Sequence, residues 1–130
     1  MSTQSYIRIV KEGETAPSPL RYDLFVKQLF KADTAEGMMI HAALGVAGEA
    51  GELVDAIKKR CIYGKPLDVH NVIEELGDLR FYMEALMNVL EIEDSEVLQH
   101  NVNKLAVRYK SLTYSSEAAI GRADKLGESK

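Results

Sequence analysis

Apolar residues recur at intervals of three and four in four long segments of the chain, and this period constrains the fold most strongly. The first segment predicts a helix of about three turns that begins after Ser18-Pro19 and carries an apolar stripe of Tyr22, Phe25, Val26, Leu29 and Phe30. A second helix is predicted from about residue 35 to residue 62, because the Tyr63-Gly64-Lys65-Pro66 sequence that follows contains residues that end helices.

Two further long helices and a short last one complete the predicted architecture. Asp68 is the predicted cap of a third helix that extends to about Glu91. Asp94 or Ser95 caps a fourth helix, and Ser115-Ser116-Glu117 opens a short final one. Because helices bury their apolar stripes against one another, we predict an all-α fold of the four-helix-bundle type. The apolar positions are Val69, Val72, Ile73, Leu76, Leu79, Met83, Met87 and Leu90 on the third helix, and Leu98, Val102, Leu105, Tyr109 and Leu112 on the fourth.

The length of 130 residues predicts a single domain over residues 1–130. Its N-terminal arm spans residues 1–18, where the short apolar run at residues 6–10 is an edge strand or an ordered arm. The helical core follows at residues 19–114, and residues 115–130 form a short helix and a polar tail.

Charge and composition exclude several classes of protein. Sixteen basic and twenty acidic residues give a net charge of −4, which argues against a nucleic-acid binder because such proteins normally need a basic face. The single cysteine, Cys61, excludes an internal disulfide and fits a reducing compartment. No apolar run approaches the roughly 20 residues that span a bilayer, and the N-terminus lacks the apolar stretch of a signal peptide. We therefore expect a soluble cytoplasmic protein with no membrane partner.

Glu49 is the anomaly of the second helix, because it falls inside the apolar arc of Ala42, Val46, Ala50, Leu53, Ala56 and Ile57. Burying an unpaired carboxylate costs several kcal/mol, so the site must supply a cation, a hydrogen-bond network or a proton. Glu52 follows at i+3, and the third helix repeats the arrangement with Glu75 and Asp78, beside Glu74. Paired carboxylates on two helices suit magnesium. The alternative is that Glu52, Glu75 and Asp78 are ordinary solvated positions.

Small residues are concentrated around Glu49, in the run from Ala42 to Gly51. Each interior helix glycine costs about 1 kcal/mol relative to alanine, so Gly45, Gly48 and Gly51 require a compensating role. Close helix packing is one explanation, and room for a ligand beside Glu49 is the other.

Basic and amide side chains form a polar stripe on the fourth helix. Asn101, Lys104 and Arg108 fall at i, i+3 and i+7, and lysine with arginine near bound magnesium would neutralise a polyphosphate. The alternative is a solvated basic face. On the second helix, Lys59 either pairs with Asp55 or reaches a phosphate.

Together these motifs resemble those of the MazG-like nucleoside triphosphate pyrophosphohydrolases. The resemblance covers roughly residues 38–124 and rests on Gly48-Glu49-Ala50-Gly51-Glu52-Leu53, Glu75-Leu76-Gly77-Asp78, Ile62-Tyr63-Gly64-Lys65-Pro66-Leu67-Asp68, Asn101-x-x-Lys104-Leu105-x-x-Arg108-Tyr109 and Ser115-Ser116-Glu117-Ala118-Ala119. It implies an all-α fold, usually dimeric or tetrameric, that cleaves nucleoside triphosphates to the monophosphate and pyrophosphate. It also implies the cytoplasm of a bacterium or of a phage-infected host.

Roles for individual residues follow from the same resemblance. It implies Mg²⁺, with Mn²⁺ as a substitute, held by Glu49, Glu52, Glu75 and Asp78. Glu52 or Glu74 would take the proton from the attacking water. The triphosphate would contact Lys59, Asn101, Lys104, Arg108 and Tyr109.

Two other functions stay open at this stage. One is a related all-α pyrophosphatase that acts on dUTP, dCTP or phosphoribosyl-ATP. The other is a non-catalytic, carboxylate-lined bundle that binds a metal or a partner helix. The broad apolar faces of the second and third helices, with Met39, Met83 and Met87, predict a homodimer or homotetramer.

Overall fold

The computed structural model describes residues 21–127, and within them all regular structure is helical. This confirms the predicted all-α fold. The residues that were expected to form an arm or to cap the first helix, at positions 1–20, lie outside the described part. The elements are α1 (Tyr22–Leu29), α2 (Ala35–Cys61), α3 (Val69–Leu90), α4 (Asp94–Arg108), α5 (Ser116–Gly121) and one turn of 3-10 helix (Ala123–Lys125).

Local side-chain capping sets three of the helix starts. The Asp68 carboxylate accepts a hydrogen bond from the Asn71 N–H at 3.0 Å, which confirms the predicted cap of α3. Ser115 accepts from the Ala118 N–H at 3.1 Å and so begins α5, also as predicted. Thr34 caps α2 through the Gly37 N–H. Because each capping residue directly precedes its helix in the sequence, such a helix start can be predicted without tertiary information.

Other predicted boundaries are wrong. Within the described residues α1 has eight residues rather than three turns, because Phe30 already has extended backbone and places its side chain in the core. The cap position of α4 is Glu93, and Asp94 is the first helical residue. Helix α4 ends at Arg108 rather than at Leu112, whose φ of 55° is left-handed.

The described residues form two compact units, residues 21–91 and 92–127. In the first, α1 and α2 both pack against α3. Its buried core consists of Val26, Phe30, Ala42 and Ala85, and partly buried aromatic and apolar side chains surround it. In the second, α4 contacts α5 and the 3-10 turn. The single domain over residues 1–130 stays a prediction.

Helices α2 and α3 run antiparallel, and Gly45 of α2 lies against the ring of Tyr82 on α3. A Cβ at Gly45 would overlap the ring of Tyr82, so only glycine fits there. By contrast, nothing lies within 4 Å of the position that a Cβ would take at Gly48 or Gly51. Close packing inside the described chain therefore explains Gly45 but neither of the other two glycines.

Several apolar side chains that were assigned to the core are exposed. On α3 the exposed fraction is 62% for Ile73 and 56% for Val69, and on α2 it is 40% for Ile57. The periodicity identified an apolar stripe correctly, but the stripe is wider than the face that α2 and α3 bury against each other. Cys61, the last residue of α2, is exposed as well. No helix within residues 21–127 combines the length and apolar character that crossing a bilayer requires.

Candidate functional site

Three carboxylates from α2 and α3 come together beside the contact of these helices. Glu49, Glu75 and Asp78 each offer an oxygen, and these oxygens lie within 4.8 Å of one another. Glu49 and Glu75 are half-buried, whereas Asp78 is exposed. The predicted anomaly at Glu49 therefore has a structural counterpart, because its carboxylate lies in this carboxylate cluster and not in the apolar core.

The carboxylate cluster gathers negative charge. Partial burial and then the like charges of Glu49, Glu52, Asp78 and Glu74 raise the pKa of Glu75 above its ordinary value. Within residues 21–127, neither Glu49, Glu75 nor Asp78 forms an ion pair with a basic side chain. The repulsion makes the cluster a favourable place for a cation.

The chemistry of the donor set fits a hard divalent cation. Magnesium and calcium take oxygen ligands, and magnesium commonly uses a few carboxylates together with waters and substrate phosphates. The three oxygens come from two helices whose backbones are fixed by their own hydrogen bonds, so little ordering is needed when a cation binds. Glu49, Glu75 and Asp78 are thus the residues that would hold the metal.

The other two acidic residues of the predicted site are placed differently. Glu52 is exposed on α2 and lies outside the group of three, although its charge reaches Glu75. Glu74 is exposed on α3, where its carboxylate is 3.7 Å from the imidazole Nδ1 of His70. The alternative of ordinary solvated positions agrees with the exposure of Glu52 and Asp78 but does not describe the half-buried Glu75.

An aromatic group lies next along the two helices. The ring of Tyr82 lies against Gly45. Its centroid is 5.8 Å from that of His41 and 6.2 Å from that of Phe30. Asp78 and Tyr82 are one turn apart on α3, so the aromatic group borders the carboxylate cluster. Tyr82 and His41 were not among the predicted site residues. The signal for them in the sequence was the i, i+4 spacing of Tyr82 from Asp78 and of Gly45 from His41.

Lys59, a predicted phosphate contact, lies two turns from Glu52 on α2. Its ammonium group is 3.1 Å from the Asp55 carboxylate, and both side chains are half-exposed. The ion pair with Asp55 does not exclude a phosphate contact, because an exposed i,i+4 pair is weak and Lys59 could exchange Asp55 for a phosphate.

The second unit contains the predicted basic residues, and here the structure adds a partner. The guanidinium of Arg108 donates two hydrogen bonds to the Asp124 carboxylate, at 2.7 and 3.1 Å. The Asp124 side chain is only 3% exposed and that of Arg108 is 16% exposed. Arg108 lowers the pKa of Asp124, and the same hydrogen bonds raise the pKa of Arg108. Arg108 is thus bound within its own unit.

The remaining predicted contacts lie around this pair on α4. Lys104 lines a cavity of about 250 Å³ that Asp124 also lines, Asn101 is exposed, and Tyr109 packs against Tyr114 with ring centroids 5.6 Å apart. Asp124 had been assigned to the polar tail. Its role was not readable, because an acidic residue 16 positions after an arginine gives no periodic signal.

Comparison with known proteins adds a family to this geometry. The sequence profile of the MazG nucleotide pyrophosphohydrolase domain matches residues 40–113. The Gene 37 protein of Mycobacterium phage L5 is 35% identical over 85 residues, which cover 58% of this chain and 69% of the phage protein. No solved structure matches the chain significantly. The profile match spans more than half of the chain and includes the whole carboxylate cluster, so the chain belongs to the MazG nucleotide pyrophosphohydrolase family.

Proposed function

We propose that the protein hydrolyses ribo- or deoxynucleoside triphosphates to the nucleoside monophosphate and pyrophosphate in a magnesium-dependent reaction. The observation that supports this most directly is the carboxylate cluster, whose oxygens lie within 4.8 Å of one another in the region that matches the family. Manganese, which takes similar oxygen ligands, would substitute for magnesium.

In this proposal Glu49, Glu75 and Asp78 hold the metal, with Glu52 available as a further ligand. When bound, magnesium supplies positive charge that polarises the phosphoryl group and favours deprotonation of water. A water oxygen attacks the α-phosphorus, and the bond from that phosphorus to the bridging oxygen breaks. The electron pair leaves with pyrophosphate, and the proton of the water passes to Glu52 or Glu74.

The nucleoside end of the substrate is assigned to the aromatic group of Tyr82 and His41. A planar base can stack on such rings, and the group lies one turn from Asp78. For the phosphates, the proposed contacts in the second unit are Lys104, Asn101 and Tyr109. Arg108 would contact phosphate only by exchanging its hydrogen bonds with Asp124 for bonds to the substrate.

Assembly into a homodimer or homotetramer is also part of the proposal. Its support is the exposure of Leu44, Val54 and Ile73, together with the open space at Gly48 and Gly51 on the same helices. An apolar surface with small residues permits close contact with a second copy. Size-exclusion chromatography with light scattering tests it, and a clean 14.5 kDa monomer would contradict it.

The reaction is tested by incubating the purified protein with each ribo- and deoxynucleoside triphosphate, with and without magnesium. The products to be resolved are monophosphate plus pyrophosphate against diphosphate plus phosphate. Release restricted to dUTP or dCTP would move the protein to the related specific pyrophosphatases. If no standard nucleotide reacts, phosphoribosyl-ATP is tested next, and magnesium binding without turnover of any of these would indicate a non-catalytic bundle.

A further inference from the structure

A cavity of about 400 Å³ lies where α2 ends and α3 begins. Two of the residues that line it are lysines, and one of these, Lys65, belongs to the connecting loop and has no role in the site described above. We call this cavity the lysine pocket; it is lined by Ala56, Lys59, Lys65, Pro66, Asp68 and Asn71.

The loop conformation brings the two lysines together. Gly64 adopts a left-handed φ of 66° and reverses the chain after α2. As a result the Lys65 N–H donates to the Lys59 carbonyl at 3.1 Å, and the Gly64 N–H donates to the Arg60 carbonyl at 3.2 Å. The position of Lys65 beside Lys59 is therefore fixed by backbone hydrogen bonds and does not depend on a surface side-chain contact.

The lysine pocket is in line with the carboxylate cluster. The antiparallel helices bring Gly45 to Tyr82, Glu49 to Asp78, and Ala56 with Asn71 to the pocket. Asn71 precedes Glu75 by one turn of α3, which is about 6 Å along the helix. Along the contact of α2 and α3, aromatic rings, carboxylates and then lysines follow one another.

The charges of the pocket favour an anion. Within the described residues Lys65 forms no ion pair, and Lys59 has only its half-exposed pair with Asp55. Asp68 is the acidic residue of the lining, and its Oδ1 is already occupied by the Asn71 N–H. The pocket also borders the N-terminal end of the 22-residue helix α3, whose dipole adds positive potential.

We infer that Lys65 and Lys59 bind the β- and γ-phosphates of the nucleotide, and then the pyrophosphate product, in the lysine pocket. The inference rests on the proposed function. In that orientation the base lies at the aromatic end, the α-phosphate lies at the carboxylate cluster, and the two lysines neutralise the leaving charge. Lys65 is the residue that gives the pocket its second cation.

The test compares Lys65→Gln and the double variant Lys59→Gln/Lys65→Gln with the unaltered protein. One charged hydrogen bond to phosphate is worth about tenfold in affinity, so we expect the Lys65→Gln variant to raise KM for the triphosphate about tenfold, with a larger rise in the double variant. The inhibition constant of pyrophosphate should rise by the same factor, while inhibition by the monophosphate stays unchanged. Lys65→Arg should retain most of the affinity.

Lys58→Gln is the matched control, since Lys58 adjoins Lys59 on α2 but places its ammonium group over the Tyr63 ring. We expect it to leave KM within twofold. Calorimetric titration with magnesium pyrophosphate separates the two levels of the proposal. If no nucleotide is hydrolysed but pyrophosphate binds the original protein and not the Lys65→Gln variant, the pocket stands and the proposed reaction fails. If hydrolysis is observed and both lysine variants keep the original KM and pyrophosphate affinity, the pocket is overturned.

Discussion

The carboxylate cluster of the first unit and the Arg108–Asp124 pair of the second are both charged sites, but they balance charge differently. Glu75 is surrounded by like charges that raise its pKa, whereas Asp124 accepts hydrogen bonds from the Arg108 guanidinium, which lowers its pKa. Like charges held on two helices repel one another, and a bound cation would reduce this repulsion. A bidentate pair is complete by itself. The carboxylate cluster therefore has the charge balance of a proposed cation site, whereas Arg108 and Asp124 stabilise their own unit.

The largest effect should follow from removing one charge of the cluster. We expect Glu75→Gln to lower the rate of nucleotide hydrolysis by more than about 100-fold, since it removes a proposed metal ligand. The same variant should melt at a higher temperature than the original protein when magnesium is absent, because one source of repulsion is gone. Thermal unfolding with and without magnesium checks both statements. A lower melting temperature in the metal-free state would mean that Glu75 is stabilising and would break the comparison.

A second prediction concerns the groove that holds the cluster. We expect Gly45→Ala to cost about 1–3 kcal/mol in the free energy of unfolding, because the new methyl group overlaps the Tyr82 ring. Gly48→Ala is the matched control and should stabilise the isolated chain by about 0.5–1 kcal/mol, since its Cβ meets open space. Denaturant unfolding gives both values. If the original protein forms the proposed oligomer and Gly48→Ala does not, a second copy occupies that space.

The third prediction tests the paired site. Asp124→Asn removes the charged partner of Arg108, and we expect Tm to fall by about 5 °C. When Asp124→Asn is added to the Arg108→Gln variant, Tm should fall little further, since the two residues act as a pair. Additive losses in the double variant would show that Asp124 stabilises the unit through another contact.

The smallest effect is on the pH dependence of stability, and it has opposite signs at the two sites. Because the folded pKa of Asp124 is below its ordinary value of 3.8, its contribution is present above that pH and is lost as the pH falls through the folded pKa. The folded pKa of Glu75 is above its ordinary value of 4.5, so its ionised form destabilises the metal-free protein and the penalty disappears on acidification to about that value. The free energy of unfolding measured against pH should lose the first dependence in Asp124→Asn and the second in Glu75→Gln.

Local signals predicted much of the fold. The caps at Asp68 and Ser115 and the end of α2 before Gly64 were readable because each depends on a few neighbouring residues. The width of the buried face was not readable. Val69 and Ile73 repeat at helical spacing like core residues, yet burial depends on how far the neighbouring helix reaches, and periodicity does not contain that information.

In the candidate site, too, some residues could be predicted from local sequence and others could not. Glu49, Glu75 and Asp78 were predicted as ligands from their i+3 spacing and from the apolar surroundings of Glu49, and the structure brings these three together. The partner of Arg108 was missed, since Asp124 is distant in sequence and lies in a segment that looked like a polar tail. Lys65 was read only as part of a helix-ending loop.

The exposed thiol of Cys61 has a practical consequence. It is the one cysteine of the chain and lies three residues before Gly64, beside the loop that contains Lys65. A maleimide fluorophore or spin label would therefore attach at a single defined position, without the need to engineer a new site. Oxidation during storage would link two molecules through this position and add covalent dimers to any measurement of mass, so a reductant belongs in the buffer.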